Sequence, residues 1–371
     1  MRALRRGVLV TVALLVVVGI VMIYSTSAIY ARETYGDSAF FLKRHLMYLA
    51  MGILLSFWIL SLEREKLRKF AKPLMAISLL FLLLVLIPGI GHKVSGARRW
   101  FRLGWISIQP SELAQLAIML YLADVLTRKR AQLQSFIHGV LPAIIVLGMT
   151  LCLILAEPDL GTTVAIAVVA LLLLFVGGVR GRMLAPFLVS AVPAVVALVL
   201  MKPYRVRRIL AYLNPWADPE GAGFQLIQSL VALGSGGIFG VGLGESKQKL
   251  FYLPAAHTDF IFSVIGEELG LIGTTAVLVL MALFVWYAIR LALRSPDTFG
   301  LFAGLGLIFL MALEALVHVG VTTGAIPTKG LPFPFISYGG SALIANLVSV
   351  AVLLNVTRPQ KAGPEVGGIT G

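Results

Sequence analysis

Gly7-Val-Leu-Val-Thr-Val-Ala-Leu-Leu-Val-Val-Val-Gly-Ile-Val-Met-Ile-Tyr-Ser-Thr-Ser-Ala-Ile-Tyr-Ala31 contains no charged residue. About 20 apolar residues suffice for a helix to cross the hydrocarbon core of a bilayer. The run follows Arg2, Arg5 and Arg6, as a secretory signal would. Its apolar length is greater than a signal needs, and no small-residue cleavage site follows, so it reads as a first transmembrane span. Nine more segments read the same way: His45–Leu62, Pro73–Gly91, Ser111–Leu126, Ile137–Ala156, Leu160–Val179, Met183–Met201, Asp259–Ile289, Phe299–Gly324 and Ser341–Val356. The fourth is the weakest, with Glu112 and Asp124 near its ends. The expected fold is all-α, a polytopic membrane protein of about ten transmembrane helices.

Composition agrees. Of 371 residues, 59% are hydrophobic and 13% charged; soluble domains carry about a quarter charged residues. A soluble enzyme, a secreted disulfide scaffold and a disordered chain are excluded. The one cysteine, Cys152, permits no intrachain disulfide. The net charge of +14 reads as an orientation signal and as contact with anionic lipid before it reads as nucleic-acid binding.

Basic residues set the orientation. Arg2–Arg6, Arg64–Lys72, Arg128–Arg130, Arg180/Arg182, Arg290/Arg294 and Arg358/Lys361 all fall on one side of ten spans, and hold 17 of the 31 Lys and Arg. Both termini are then cytoplasmic. Residues 1–357 form one transmembrane domain, and the Gly- and Pro-rich tail 358–371 reads as disordered. The outer side still carries 14 basic residues. These are either solvated loop surface or a site for an anionic ligand such as a lipid phosphate.

Two connections are not simple links. The outer loop 202–258 contains Phe224-Gln-Leu-Ile-Gln-Ser-Leu-Val-Ala-Leu233, whose spacing predicts an amphipathic helix lying in the interface. Eight glycines between Gly221 and Gly244 permit the close backbone approach that a re-entrant or ligand-cradling loop requires. In the loop 325–341 three prolines forbid a regular helix. There Gly339-Gly340-Ser341, with Lys329 close in sequence, offers either a phosphate site at a helix N-terminus or a plain serine cap.

Acids at membrane depth are functional candidates by default. They are Glu112, Glu157, Asp159, Asp259, Glu267, Glu268 and Glu314. Glu267 and Glu268 read as partners of a basic residue or as shaping a break before Gly270. Glu314 and His318, four apart, read as a buried hydrogen-bonded pair. In His257-Thr258-Asp259-Phe260, Thr258 reads as the cap of a helix that Asp259 begins. Its carboxylate is a general base, a metal ligand or a first-turn acid stabilising the helix. No HExxH, Cys/His cluster or phosphate loop supports a metal hydrolase or a nucleotide-driven pump.

These residues resemble the SEDS family (shape, elongation, division and sporulation) from about Gly7 to Thr357. The carriers are Ser95-Gly-Ala-Arg-Arg-Trp100, Gln109-Pro-Ser-Glu112, Glu157-Pro-Asp-Leu-Gly-Thr162, Asn214-Pro-Trp-Ala-Asp-Pro219, Gln228-Ser229, Gly234-Ser-Gly-Gly237, Leu253-Pro254, His257-Thr-Asp-Phe260, Gly266-Glu-Glu-Leu-Gly270 and Pro334-Phe-Ile-Ser-Tyr-Gly-Gly-Ser341. The resemblance implies ten spans and a peptidoglycan glycosyltransferase that polymerises lipid II on the outer face of the bacterial plasma membrane. It implies a class B penicillin-binding protein, a transpeptidase, as partner beside other divisome or elongasome proteins, and growing glycan on undecaprenyl diphosphate as the second substrate. The family's essential aspartate corresponds to Asp259. Asn214–Pro219 and Gly242–Tyr252 look more like the division branch, FtsW, which would place the protein at the septum. Ala255 and Gln115 depart from the family, which commonly has Glu and Lys there.

Such chemistry needs a base for an attacking hydroxyl and cations for a departing diphosphate. Asp259 suits the first task. Arg98, Arg99, Arg102, Lys247, Lys249 and Lys329, or a divalent cation (Mg or Mn), suit the second. Trp100 suits a sugar face or the interface belt. The expected substrate-binding set is completed by Glu112, Glu157, Asp159, His257, Ser337 and Ser341. Two other functions use the same features: a lipid II flippase without bond chemistry, and a non-catalytic division scaffold.

Overall fold

The computed structural model describes residues 1–94, 96–250 and 252–358; the tail expected to be disordered lies, past Arg358, outside the described residues. The order is α1 (Arg2–Tyr35), α2 (Phe40–Ser61), α3 (Arg64–Leu86), β1 (His92–Val94), β2 (Ala97–Leu103), β3 (Ile106–Ile108), α4 (Pro110–Arg128), α5 (Leu141–Ala156), α6 (Leu160–Val176), α7 (Gly181–Leu200), α8 (Pro203–Leu213), α9 (Phe224–Ser235), α10 (Ile261–Ala292), α11 (Thr298–Thr322) and α12 (Gly340–Val356).

Each expected span falls on one helix, so the apolar runs located the bundle. Among the described residues seven segments are long and apolar enough to cross a membrane. They are α1, α2, α3, α5 with the turn before it, α7, α10 and α11. Of the other three, α4 and α12 are shielded by protein, and α6 is half buried. α4 is buried at nearly every position from Ala114 to Leu126, packed among α3, α11 and α6. Its surface meets protein rather than lipid, so it tolerates Glu112 and Asp124. α6 and α12 have 17 residues each. α7 is the opposite case, with Leu184 its one buried residue.

Contacts between connections sort the bundle into two ends. At one end Arg64 pairs with Asp297 at 3.0 Å and Arg68 with Asp124 at 3.0 Å, and Arg64 donates to the Arg358 carbonyl. At the other, Arg44 donates to the Trp105 carbonyl (2.8 Å), Arg99 to the Glu157 carbonyl (2.7 Å) and Ser341 to the Ser107 carbonyl (3.1 Å). These are the groupings that the basic residues predict as cytoplasmic and outer, and the ends are named accordingly.

The structure departs from the sequence reading in four places. The outer segment after α3 is a three-stranded antiparallel meander, β1-β2-β3, within the otherwise helical fold. The loop 202–258 is ordered as expected, but it opens with a helix, α8, that was not foreseen. α9 is not confined to the membrane surface: Leu226, Ile227, Ser229 and Ala232 are buried, and Ser229 Oγ lies 2.6 Å from Ser263 Oγ and donates to the Thr322 carbonyl at 2.7 Å. Finally, α10 starts at Ile261 without a side-chain cap. Thr258 bonds back to the Ala255 carbonyl (3.1 Å), so Asp259 lies in the loop before the helix.

The glycine run does re-enter the bundle. α10 breaks at Gly270 (φ 65°, ψ −162°), and backbone groups freed there pair with the loop. Val241 N donates to Glu267 O (2.9 Å), Gly242 N to Glu268 O (3.1 Å) and Leu271 N to Gly237 O (2.9 Å). A Cβ on Gly236 would collide with the Gly266 carbonyl. Irregular backbone at membrane depth is stable when protein satisfies it this way.

Candidate active site

Three acids stand at helix N-termini that meet at the outer end. Glu112 is in the first turn of α4. Asp159 caps α6, its Oδ1 accepting from Thr162 N at 3.2 Å. Asp259 immediately precedes the N-cap residue of α10. The positive end of a helix dipole favours a carboxylate. The acids act on one another electrostatically, Asp159 on Glu112 and on Asp259, and Glu112 acts in turn on Glu314 of α11.

The Asp259 carboxylate lies against Gly330. A Cβ at Gly330 would stand 2.6 Å from Asp259 Oδ2, so glycine is what lets the loop 325–339 close over the acid. Burial raises the Asp259 pKa; the Arg208 guanidinium and the Thr258 hydroxyl lower it, and Asp159 raises it. The segment that holds it is tied down. Tyr338 N donates to His257 O (2.9 Å), and Ser337 Oγ donates to Thr258 O (2.7 Å). The His257 ring sits with Phe41 at 4.7 Å, Tyr338 at 5.7 Å and Tyr30 at 6.1 Å between centroids. Burial pushes its pKa down to about 4, so it stays neutral at pH 7.

Cations approach from two sides. Arg99 donates to the carbonyls of Glu157 (2.7 Å) and Pro158 (2.6 Å) and reaches Asp159 Oδ2 at 3.6 Å. Lys329 flanks Gly161, whose Cβ would lie 3.5 Å from Lys329 Nζ and 3.6 Å from Asp159 Oδ1. Burial lowers the Lys329 pKa to about 8; Asp159 opposes this, and Arg205 and Arg208 reinforce it. Glu157 is fully buried, and neither carboxylate oxygen has a hydrogen-bond partner among the described residues. Burial, with Asp159, pushes its pKa up to about 8, against Arg99.

Glu112, Glu157, Asp159, His257, Asp259, Lys329 and Arg99 therefore come together. Other members of the expected set do not. Side chains alternate across a strand, so β2 sends Arg99 to the acids while Arg98, Trp100 and Arg102 share its other face. Lys249 is no free cation: it is buried, bonds the Gly244 carbonyl and pairs with Glu268 at 3.0 Å. Lys247 is exposed, and its backbone amide bonds Glu267 (2.9 Å). Ser337 Oγ also accepts from Phe333 N (2.9 Å), and Ser341 Oγ accepts from Gln109 N (2.9 Å). Both hydroxyls thus bind backbone, and Ser341 is not the cap of α12. Glu314 and His318 are both buried, but His318 Nδ1 bonds the Leu331 carbonyl (2.8 Å) instead of the acid. The reading of Glu267 and Glu268 holds: Glu268 pairs with Lys249, Glu267 takes the Ser246 hydroxyl, and the break is at Gly270.

Sequence reasoning missed Arg205 and Arg208. Both lie on α8, where Tyr204, Arg208 and Tyr212 recur every four residues on one face. Tyr212 OH donates to the Ala325 carbonyl (3.0 Å), which fastens that face to the loop bearing Lys329 and Gly330. The spacing of Tyr204, Arg208 and Tyr212 was the available signal.

Among the described residues no three His, Cys, Asp or Glu side chains are placed to hold a metal ion.

Fold and site define a polytopic membrane protein with a buried cluster of acids and cations at one end. Residues 5–362 match the family model described as "Cell cycle protein", that of FtsW, RodA and SpoVE. The chain is 44% identical over 345 residues to stage V sporulation protein E of Bacillus subtilis strain 168, covering 93% of this chain and 94% of that one. It is 46% identical over 349 residues to a probable peptidoglycan glycosyltransferase FtsW of Trichlorobacter lovleyi, covering 94% and 92%. Among solved structures it superposes on a chain of a peptidoglycan synthase complex, described as coordinating polymerization and crosslinking, with a TM-score of 0.76, 34% identity and coverage of 95% and 96%. On the rod shape determining protein RodA of Thermus thermophilus the TM-score is 0.72, with 29% identity and coverage of 96% and 97%. The chain belongs to the FtsW/RodA/SpoVE family, the family that its motifs resemble.

Proposed function

We propose that this protein is a peptidoglycan glycosyltransferase that polymerises lipid II on the outer face of the bacterial plasma membrane, in cell division or cell-shape maintenance. The FtsW relative at 46% identity supports the activity, and the likeness of Asn214–Pro219 and Gly242–Tyr252 to the division branch supports placement at the septum. The likeness to the synthase complex supports a transpeptidase partner, a class B penicillin-binding protein.

The observation that carries the mechanism is the Asp259 carboxylate, closed in by Gly330 and within the field of Arg208, with Lys329 beside Asp159. A sugar 4-hydroxyl attacks the anomeric carbon of the donor. The new C–O bond forms as the bond to the diphosphate breaks, and the hydroxyl proton passes to Asp259 as general base. The raised pKa of Asp259 brings it nearer to that of a base working at neutral pH. Undecaprenyl diphosphate leaves without protonation, its charge met by Lys329, Arg99 and Arg208. One displacement with no covalent enzyme intermediate inverts the centre, turning an α-linked donor into a β-linked chain. A divalent cation, magnesium or manganese, bound with the diphosphate would supply Lewis acidity there.

The test is purified protein, alone and with its transpeptidase, incubated with lipid II and divalent cation, products resolved by gel, beside Asp259→Ala and Asp259→Asn. A glycan ladder from wild type and a loss of about 100-fold or more in both variants are expected. Wild-type rates in folded variants would refute the role of Asp259. Translocation of labelled lipid II without a ladder would make the protein a flippase.

A further inference from the structure

We propose that the cleft between α3 and α4 at the cytoplasmic end binds the phosphate headgroup of an anionic phospholipid. The cleft, of about 410 Å³, is lined by Glu65, Arg68, Lys69, Lys72, Asp124 and Arg128. It lies at the opposite end from Asp259 and does not depend on the polymerase reading.

Asp124 organises it. Its carboxylate, 5% exposed, takes Arg68 Nε at 3.0 Å and Arg128 Nε at 3.4 Å. Each arginine meets Asp124 through Nε and lines the cleft, and a guanidinium is a fork suited to phosphate oxygens. The lining holds four cations against two acids. Lys69 and Lys72 are exposed and make no ion pair among the described residues.

The helix register points to lipid as the occupant. Glu65, Lys69, Lys72, Ala76, Leu80 and Leu83 recur at three- and four-residue spacing and so share one stripe of α3. Its cytoplasmic end is charged. Toward the membrane it is apolar and open, with Leu80 51% and Leu83 50% exposed. A cationic cleft continuous with an exposed apolar track matches a headgroup with its acyl chains. A free phosphate or an acidic protein segment would use the cleft but not the track.

The test is native mass spectrometry of the full chain in detergent, titrated with phosphatidylglycerol or with phosphatidylcholine, and with inorganic phosphate as competitor. Wild type should retain phosphatidylglycerol preferentially, and phosphate should not displace it. Each lysine near an anionic surface contributes about fivefold, so Lys69→Gln/Lys72→Gln should weaken retention roughly 30-fold. Neither substitution touches the Asp124 network. Lys66→Gln, whose lysine pairs with Glu63 at 3.4 Å outside the cleft, should retain lipid as wild type does. Equal retention of the two lipids, or a double variant that binds like wild type, would overturn the proposal. Full displacement by phosphate would overturn it in favour of a soluble anion.

Discussion

The ion pair of Lys249 with Glu268 joins the re-entrant loop to α10, and its removal has a calculable cost. The two side chains are 5% and 0% exposed, with Nζ and Oε1 3.0 Å apart. Ser25 of α1 donates to both carboxylate oxygens at 2.7 Å, so three segments meet at this point. Removing one partner of a buried pair strands the other charge, at about 3–5 kcal/mol. Lys249→Met leaves a carboxylate with one hydroxyl and should cost about 3 kcal/mol or more. Glu268→Gln leaves an ammonium held by the Gly244 carbonyl and should cost a similar amount. Replacing both, Lys249→Met with Glu268→Met, removes both charges, and since buried pairs scarcely outperform apolar isosteres the double variant should return to within about 1 kcal/mol of wild type. The assay is unfolding in mixed micelles by titration with sodium dodecyl sulfate, followed by tryptophan fluorescence, as a double-mutant cycle. Single variants that each lose less than about 1 kcal/mol, with no coupling, would show that the pair is hydrated and the reasoning wrong.

Lys329 should set the alkaline limit of catalysis. Its pKa is depressed to about 8, so the ammonium is lost as pH rises through 8 and polymerisation should fall about tenfold by pH 9; Lys329→Arg, always charged, should shift that limb upward in a pH–rate profile. Glu157 should make stability fall as pH rises. Its carboxyl keeps its proton to about pH 8 when folded and releases it near 4.5 when unfolded. Its contribution is thus complete below 4.5 and lost by 8, with a slope of up to about 1.4 kcal/mol per unit; Glu157→Gln should flatten that slope in unfolding curves, and an unchanged slope would contradict it. Gly236→Ala should cost about 1–3 kcal/mol by forcing a Cβ into the Gly266 carbonyl, while Gly234→Ala, with no atom within 4 Å of its Cβ, should unfold like wild type.

Apolar length located every helix of the bundle, because a span must satisfy its backbone internally and cover itself with apolar side chains. Depth was less legible. Lys249 counts as an outer-loop cation in a linear reading, yet the glycine run carries it beside Ser25, in the body of α1. Nothing local to residues 247–249 encodes that descent; it depends on the break at Gly270, more than 20 residues later. The meander was missed for a related reason. Arg98-Arg-Trp-Phe-Arg102 does not alternate polar with apolar, since half-exposed strands at a membrane surface need not. Asp259 was found through its motif, whereas Arg208 was hidden because the helix expected in the loop 202–258 was placed at Phe224–Leu233 and none at Pro203–Leu213, where α8 lies.

The arrangement explains how one cluster holds so many carboxylates. α4, α6 and α10 all begin at the outer end, each with an acid at or just before its first turn. Three positive dipole ends and the side chains of Arg99, Lys329 and Arg208 converge on the same space. α6 and α12, of 17 residues each, are about 25 Å long by helical rise, shorter than a roughly 30 Å hydrocarbon core. The outer connections cover these two N-termini: Arg99 of β2 reaches the Glu157 and Pro158 carbonyls just before α6, and Ser341 at the start of α12 bonds the Ser107 carbonyl of β3, so the meander closes the acid cluster from above while Gly330 closes it over Asp259.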